Sequence, residues 1–104
     1  MTFQLTVLFH QPKDPAAFDD YYRSTHAPLA ARIPGLRSYT ASRPQPAPDG
    51  VPAAEHLVAA LVFEDKAAFA SGMGSPDGVA AGRDIGNFAS GGVTMLSGEV
   101  TTYV

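Results

Sequence analysis

A chain of 104 residues that is 45% hydrophobic and 16% charged argues for one globular domain over residues 1–104, with a modest core and no extensive disorder. Its net charge of -3 leaves no basic footprint for nucleic acid or an anionic membrane, and the absence of cysteine excludes disulfides, thiolate catalysis and thiolate metal sites. No basic leader with an apolar core opens the chain, and its longest apolar run, residues 57–63, is too short to span a bilayer, so a soluble cytoplasmic protein is expected.

Residues 2–10 alternate Phe3, Leu5, Val7 and Phe9 with Gln4, Thr6, Leu8 and His10, and that period of two predicts a strand. Asp14-Pro15 supplies an N-cap and a first-turn proline. Phe18, Tyr22 and His26 then recur at helical spacing, with Leu29 and Ile33 continuing the apolar side. Pro28 removes one helical hydrogen bond and disfavours the α conformation at Ala27, so a break or restart is predicted between His26 and Pro28. The segment ends at Pro34-Gly35.

Leu36 to Arg43 is predicted as a second strand. The stretch from Pro44 to Ala54, with Pro44, Pro46, Pro48, Pro52 and an Asp49-Gly50 turn, reads as a surface connection. Glu55 to Glu64 is the most apolar strand, and both of its alternating faces are expected to be buried. Asp65 to Gly72 forms a short helix carrying Phe69. Ser75-Pro76-Asp77 opens another that runs through Val79, Ile85 and Phe88 to Gly91-Gly92. Val93 to Val104 is the last strand, with a possible bulge at Gly98.

The order β-α-β-β-α-β with right-handed crossovers gives a ferredoxin-like α+β fold. The first and third strands lie in the middle of an antiparallel sheet, and both helices cover one face. The other face would then be an exposed apolar patch. A second copy stacked on it by two-fold symmetry resolves this, so the expectation is a homodimer forming a dimeric α+β barrel around a shared cavity or paired cavities.

The uniformly apolar sets, Phe3/Leu5/Val7/Phe9 and Leu57/Ala59/Leu61/Phe63, suit packing under the helices. The mixed sets are assigned to the barrel: Thr6, Leu8 and His10; His56, Val58, Ala60 and Val62; and Tyr39. Thr6, Leu8, His56, Val58 and Val62 are the expected substrate-binding residues. His26 is the candidate acid/base, with Tyr22 or Tyr39 as hydroxyl donors to a substrate oxygen. A histidine at that place can also simply pack, bonded to a backbone carbonyl.

No metal site is expected. On a parallel pairing of the first and third strands, His10 and His56 lie at opposite ends, about 20 Å apart at roughly 3.3 Å per residue. No zinc-protease run or calcium loop is present. Arg83 and Asp84 read as a solvated helix face. Gly72, Gly74 and Gly78 miss the dinucleotide fingerprint, and no nucleophile-elbow serine occurs.

Phe18-x-x-x-Tyr22-x-x-x-His26-x-Pro28-Leu29, followed by Ile33-Pro34-Gly35-Leu36 and Tyr39, resembles the EthD domain. Phe69, Ser75-Pro76-Asp77-Gly78 and Asp84-x-x-x-Phe88 are similar to that family's second helix. The resemblance runs from about Val7 to the final strand. It implies the dimeric α+β barrel superfamily, whose members include cofactor-free monooxygenases of aromatic polyketides, muconolactone-type isomerases and haem-degrading enzymes. It carries the family's motif histidine to His26 and its tyrosine to Tyr39. Many members have a tryptophan beside the position of Tyr22, and this chain has none.

The expected function is therefore a small catabolic or oxidative enzyme, of monooxygenase or isomerase type, acting on an apolar oxygen-bearing molecule without a cofactor. The alternative is a non-catalytic or stress-response module that holds a hydrophobic small molecule. A further option is haem, with an exposed His26 as axial ligand.

Overall fold

The computed structural model describes all 104 residues. Strand β1 (Phe3–His10) is followed by helix α1 (Pro15–Tyr21), a widened π-helical stretch (Tyr22–His26) and helix α2 (Ala27–Ala30). Strands β2 (Leu36–Ser42) and β3 (Glu55–Phe63) form the hairpin. Helices α3 (Lys66–Gly74) and α4 (Pro76–Asp84), a 3₁₀ turn (Ile85–Asn87) and strand β4 (Val93–Glu99) complete the chain. The sheet order is β2-β3-β1-β4, and every neighbouring pair is antiparallel. The ferredoxin-like plan is observed, with β1 and β3 central and the helices packed on one face. No helix is long and apolar enough to cross a membrane.

Local chemistry explains the helix starts. Asp14, Asp65 and Ser75 each accept a backbone N–H of the first turn, and Pro15 and Pro76 follow two of these caps. No break occurs at Pro28; the expected restart does, since α2 begins at Ala27 directly after the π-helical stretch. Ala27 keeps α-helical angles (φ -61°, ψ -45°), and its N–H donates to the carbonyl of Tyr22, five residues back. Widening the preceding turns accommodates the proline without ending the helix. The inward face is Phe18, Tyr22, His26 and Ala30, with Ile33 beyond it.

The sheet's helix-facing side is the core. Phe3, Leu5, Val7 and Phe9 of β1 and Leu57, Ala59, Leu61 and Phe63 of β3 are all buried, as their alternation predicts. The alternate residues Thr6, Leu8, Val58, Ala60 and Val62 are only half-buried, so β3 is covered on one side and not on both. On α3, Gly72 lies against the carbonyl of Pro34 and the ring of Phe63, where a Cβ would collide; its lack of a side chain lets the helix approach the sheet.

Two register features differ from expectation. Gly98 pairs regularly with Gln4, so β4 has no bulge there, and the strand ends at Glu99. Register shifts occur instead between Leu36 and Ser38 where β2 pairs with β3, and between β1 and β3, where Phe9 pairs with Leu57 but His10 pairs with Glu55. His56 is the extra residue. The bulge turns its side chain to the helix face, so His56 and Leu57 are both buried. The antiparallel pairing also brings His10 and His56 to the same end of neighbouring strands, correcting the opposite-end placement. His10 bonds Thr94 and His56 bonds Asp19 there.

Candidate active site

His26 sits beneath the helix layer, 5% exposed, among the rings of Phe9, Tyr22 and Phe88. Its Nδ1 lies 2.9 Å from Oδ2 of Asp84. A carboxylate only accepts, so Nδ1 carries the proton and donates it, leaving Nε2 with its lone pair. The other oxygen of Asp84 accepts from the Tyr21 hydroxyl at 2.5 Å and from Asn87 Nδ2 at 3.0 Å. Residues from the first helical segment and from the end of α4 thus close one network around a single buried carboxylate.

Asp84, which its position on the second helix assigns to a solvated face, joins the candidate site instead. It is 9% exposed and faces inward. The signal was present in Asp84-x-x-x-Phe88, which places the carboxylate one turn before an aromatic that packs on His26 at 4.7 Å. Burial on its own would raise the Asp84 pKa, but the bonds from Tyr21, Asn87 and His26 together outweigh it and hold the carboxyl below its usual range.

Nε2 of His26 has no protein partner, and no buried side-chain nitrogen or oxygen in the molecule is sealed away unpaired. Nε2 therefore reaches open space. His26 also lines an apolar cavity of about 30 Å³ between the helices and the sheet. Leu5, Val7, Ala59 and Leu61 form its sheet side, and Tyr22, His26 and Ala30 face them from the first helical segment. Tyr39 joins from β2, its hydroxyl 2.5 Å from that of Tyr22. One hydroxyl donates to the other, so the pair retains one O–H able to bond a substrate oxygen. Burial raises the pKa of both phenols, so they act as donors and not as phenolates.

The structure separates the expected site residues into two groups. His26, Tyr22 and Tyr39 come together, but on the helix-covered face of the sheet, so the assignment of Tyr39 to the barrel face is corrected. Tyr39 pairs with Leu61, a core residue, and so shares its side. Thr6, Leu8, Val58 and Val62 lie on the opposite face, because strict alternation separates them from Leu5, Val7, Ala59 and Leu61. A β-sheet stands between these residues and His26, so they cannot line one cavity with it.

His56 belongs to neither group. Its Nε2 is 2.8 Å from Asp19 Oδ1, and Arg43 Nη2 donates to the same oxygen at 3.0 Å. Burial would raise the Asp19 pKa, but these partners outweigh it and lower it. This cluster clips α1 to the residue after β2 and to the start of β3. The residues around His26 do not fit a haem, since the ring is buried, not exposed, and the space beside it would hold a water or two.

Burial lowers the His26 pKa below the ordinary 6.5, and the Asp84 bond offsets only part of that. The unfolded chain then binds this proton more readily than the folded chain. The stability linked to His26 is complete above about pH 6.5 and is lost as pH falls from there through the depressed folded value. Melting between about pH 8 and about pH 5 is expected to show a midpoint that declines below 6.5, and His26→Gln is expected to flatten that limb. Asp84, also depressed, adds its loss only below 3.8.

The EthD domain family model matches residues 10–92 of this chain. The chain belongs to the EthD family. This EthD domain is 43% identical over 102 residues to an uncharacterized 11.0 kDa protein in the thcB-thcC intergenic region of Rhodococcus erythropolis, covering 98% of each. Its fold matches the crystal structure of an ethyl tert-butyl ether d (ethd) family protein from Bacillus halodurans with a TM-score of 0.91 at 35% identity, over 97% of this chain and 100% of that one.

More distant structures share the fold alone. SnoaB, a cofactor-independent oxygenase from Streptomyces nogalater, matches with a TM-score of 0.60 at 21% identity, over 99% and 92% of the two chains. A dimeric ferredoxin-like protein from Thermobifida fusca matches with a TM-score of 0.71 at 16% identity, over 96% and 92%.

Proposed function

We propose that this EthD domain is a small-molecule enzyme in which His26 moves a proton on an apolar, oxygen-bearing substrate held between the helices and the sheet. One observation carries the reading: Nδ1 is committed to the buried Asp84 carboxylate and Nε2 has no protein partner, while His26 and the hydrogen-bonded Tyr22–Tyr39 pair line one apolar cavity. Because burial keeps the imidazole neutral at neutral pH, Nε2 is available as a base. It removes a proton from carbon beside the substrate carbonyl, Asp84 stabilises the imidazolium, and the free phenol O–H bonds the developing oxyanion.

Returning the proton to another carbon is an isomerisation. Alternatively the carbanion gives its electrons to dioxygen, forming a hydroperoxide that takes a proton from His26 and loses water. The step balances as one substrate methylene group and one dioxygen giving one carbonyl group and one water, with the substrate as reductant. The description of SnoaB as a cofactor-independent oxygenase supports this second route.

The test is deuterium exchange into enolisable aryl ketones in heavy water, followed by NMR alongside oxygen uptake. Exchange above the solvent rate, falling on the acid side as His26 protonates, is the expected result. Binding of the ketones without exchange or oxygen uptake overturns the reading. It would favour a non-catalytic module for hydrophobic molecules, which the cavity lining, 13 hydrophobic residues of 15, also suits.

We further propose a homodimer built on the uncovered sheet face, where Leu8, Val58, Ala60, Val62 and the 56% exposed Leu96 leave apolar surface without a helix over it. The dimeric relative supports this. Val58→Arg is expected to convert a dimer to a monomer in sedimentation velocity, with the helix-side cavity intact. A monomeric parent protein would refute the arrangement.

A further inference from the structure

Of the residues lining the His26 cavity, only Gly82 of α4 and Met95 of β4 are solvent-exposed, Met95 by 47%. The other lining residues are buried or half-buried. We infer that ligands reach His26 between α4 and β4, and that Gly82, Met73 and Met95 decide which molecules pass. The route rests on exposure and space; only the fate of the ligand at His26 rests on the proton-transfer reading.

Four observations support it. At about 30 Å³ the cavity takes a water or two but no aromatic ring, so a ligand must displace something. Met73 and Met95 are the unbranched, flexible side chains in the lining, whereas Phe9, Tyr22 and His26 are locked in a cluster of packed rings. β4 is also an edge strand, paired with β1 alone, so Met95 moves without disturbing a second neighbour. Beside it, a Cβ built on Gly82 meets nothing within 4 Å, leaving free room at the mouth.

The polar side-chain groups in the lining are the imidazole and the two phenols. The class of ligand these groups suit is an apolar molecule bearing an oxygen, which enters past the methionines and turns that oxygen toward Tyr22 and Tyr39.

Fluorescence titration with 2-naphthol tests this. Gly82→Leu fills the mouth from an exposed position with no packed neighbour, and is expected to weaken binding about tenfold or more. Met95→Ala is expected to tighten it about threefold, and Gly82→Ala, too short to plug the mouth, to leave it near the parent value. Equal affinity in the parent, Gly82→Leu and Met95→Ala proteins overturns the route, as does failure of both the parent and Met95→Ala to bind. The His26→Gln protein separates the two readings. If Gly82→Leu excludes the probe while His26→Gln still exchanges deuterium into aryl ketones, proton transfer fails and the route stands. If Gly82→Leu binds normally while His26→Gln loses exchange, the route fails alone.

Discussion

His26→Gln is expected to lower proton exchange into an enolisable ketone by about a hundredfold or more, the usual loss when a positioned general base is removed. Glutamine keeps a donor that can reach the Asp84 carboxylate, so that buried acceptor retains a partner. A loss of rate with an intact fold, read by far-UV circular dichroism, would then report chemistry and not collapse. Asp84→Asn makes the companion measurement. The amide can turn an N–H toward Nδ1, which moves the imidazole proton to Nε2 and removes the base from the cavity. We expect a loss of at least about tenfold and an altered pH profile, since Asp84 no longer favours the imidazolium. Full activity in both variants would eliminate the mechanism.

Phe9→Ala is expected to produce the largest loss of stability. Phe9 is 1% exposed and touches Phe18, Tyr22, His26 and Phe88, with ring centroids at 5.5, 5.6, 6.4 and 5.5 Å. Its removal leaves a cavity where the first helical segment, the 3₁₀ end of α4 and the central strand meet. Such truncations cost about 3–5 kcal/mol. In a domain of this size that lowers the melting midpoint by roughly 15–30 °C. Val51→Ala, in the exposed connection between β2 and β3 and on neither sheet face, should stay within about 0.5 kcal/mol of the parent. Urea titration of the two variants checks both values. Comparable losses would mean that Phe9 carries no more of the stability than an exposed loop residue, and would overturn the prediction.

The two predictions concern one region, because the ring that anchors the core also walls the candidate base. Phe88 shows the same dual use: it stacks on Tyr21 at 5.3 Å and packs on His26 at 4.7 Å. Rigid aromatic packing holds the imidazole in place, while movement is left to the methionines at the other side of the cavity.

The strands, the caps at Asp14, Asp65 and Ser75, and the helix-facing sets of β1 and β3 were legible because alternation, capping and turn chemistry act over a few residues. His26, Tyr22 and Tyr39 stood out as chemical groups for the same reason. Their surroundings did not. Asp84 is 58 residues from His26, and no local pattern says that the end of α4 will turn a carboxylate inward. The face on which Tyr39 lies depends on register with Leu61, and the direction of His56 on a one-residue bulge opposite Phe9 and His10. A shift of one residue reverses a strand's faces, and register is settled only when strands distant in sequence pair and pack. The chain's local chemistry specified the groups and the order of elements; tertiary packing chose which of those groups meet, and put His26 with the Tyr22–Tyr39 pair under the helices instead of on the open sheet.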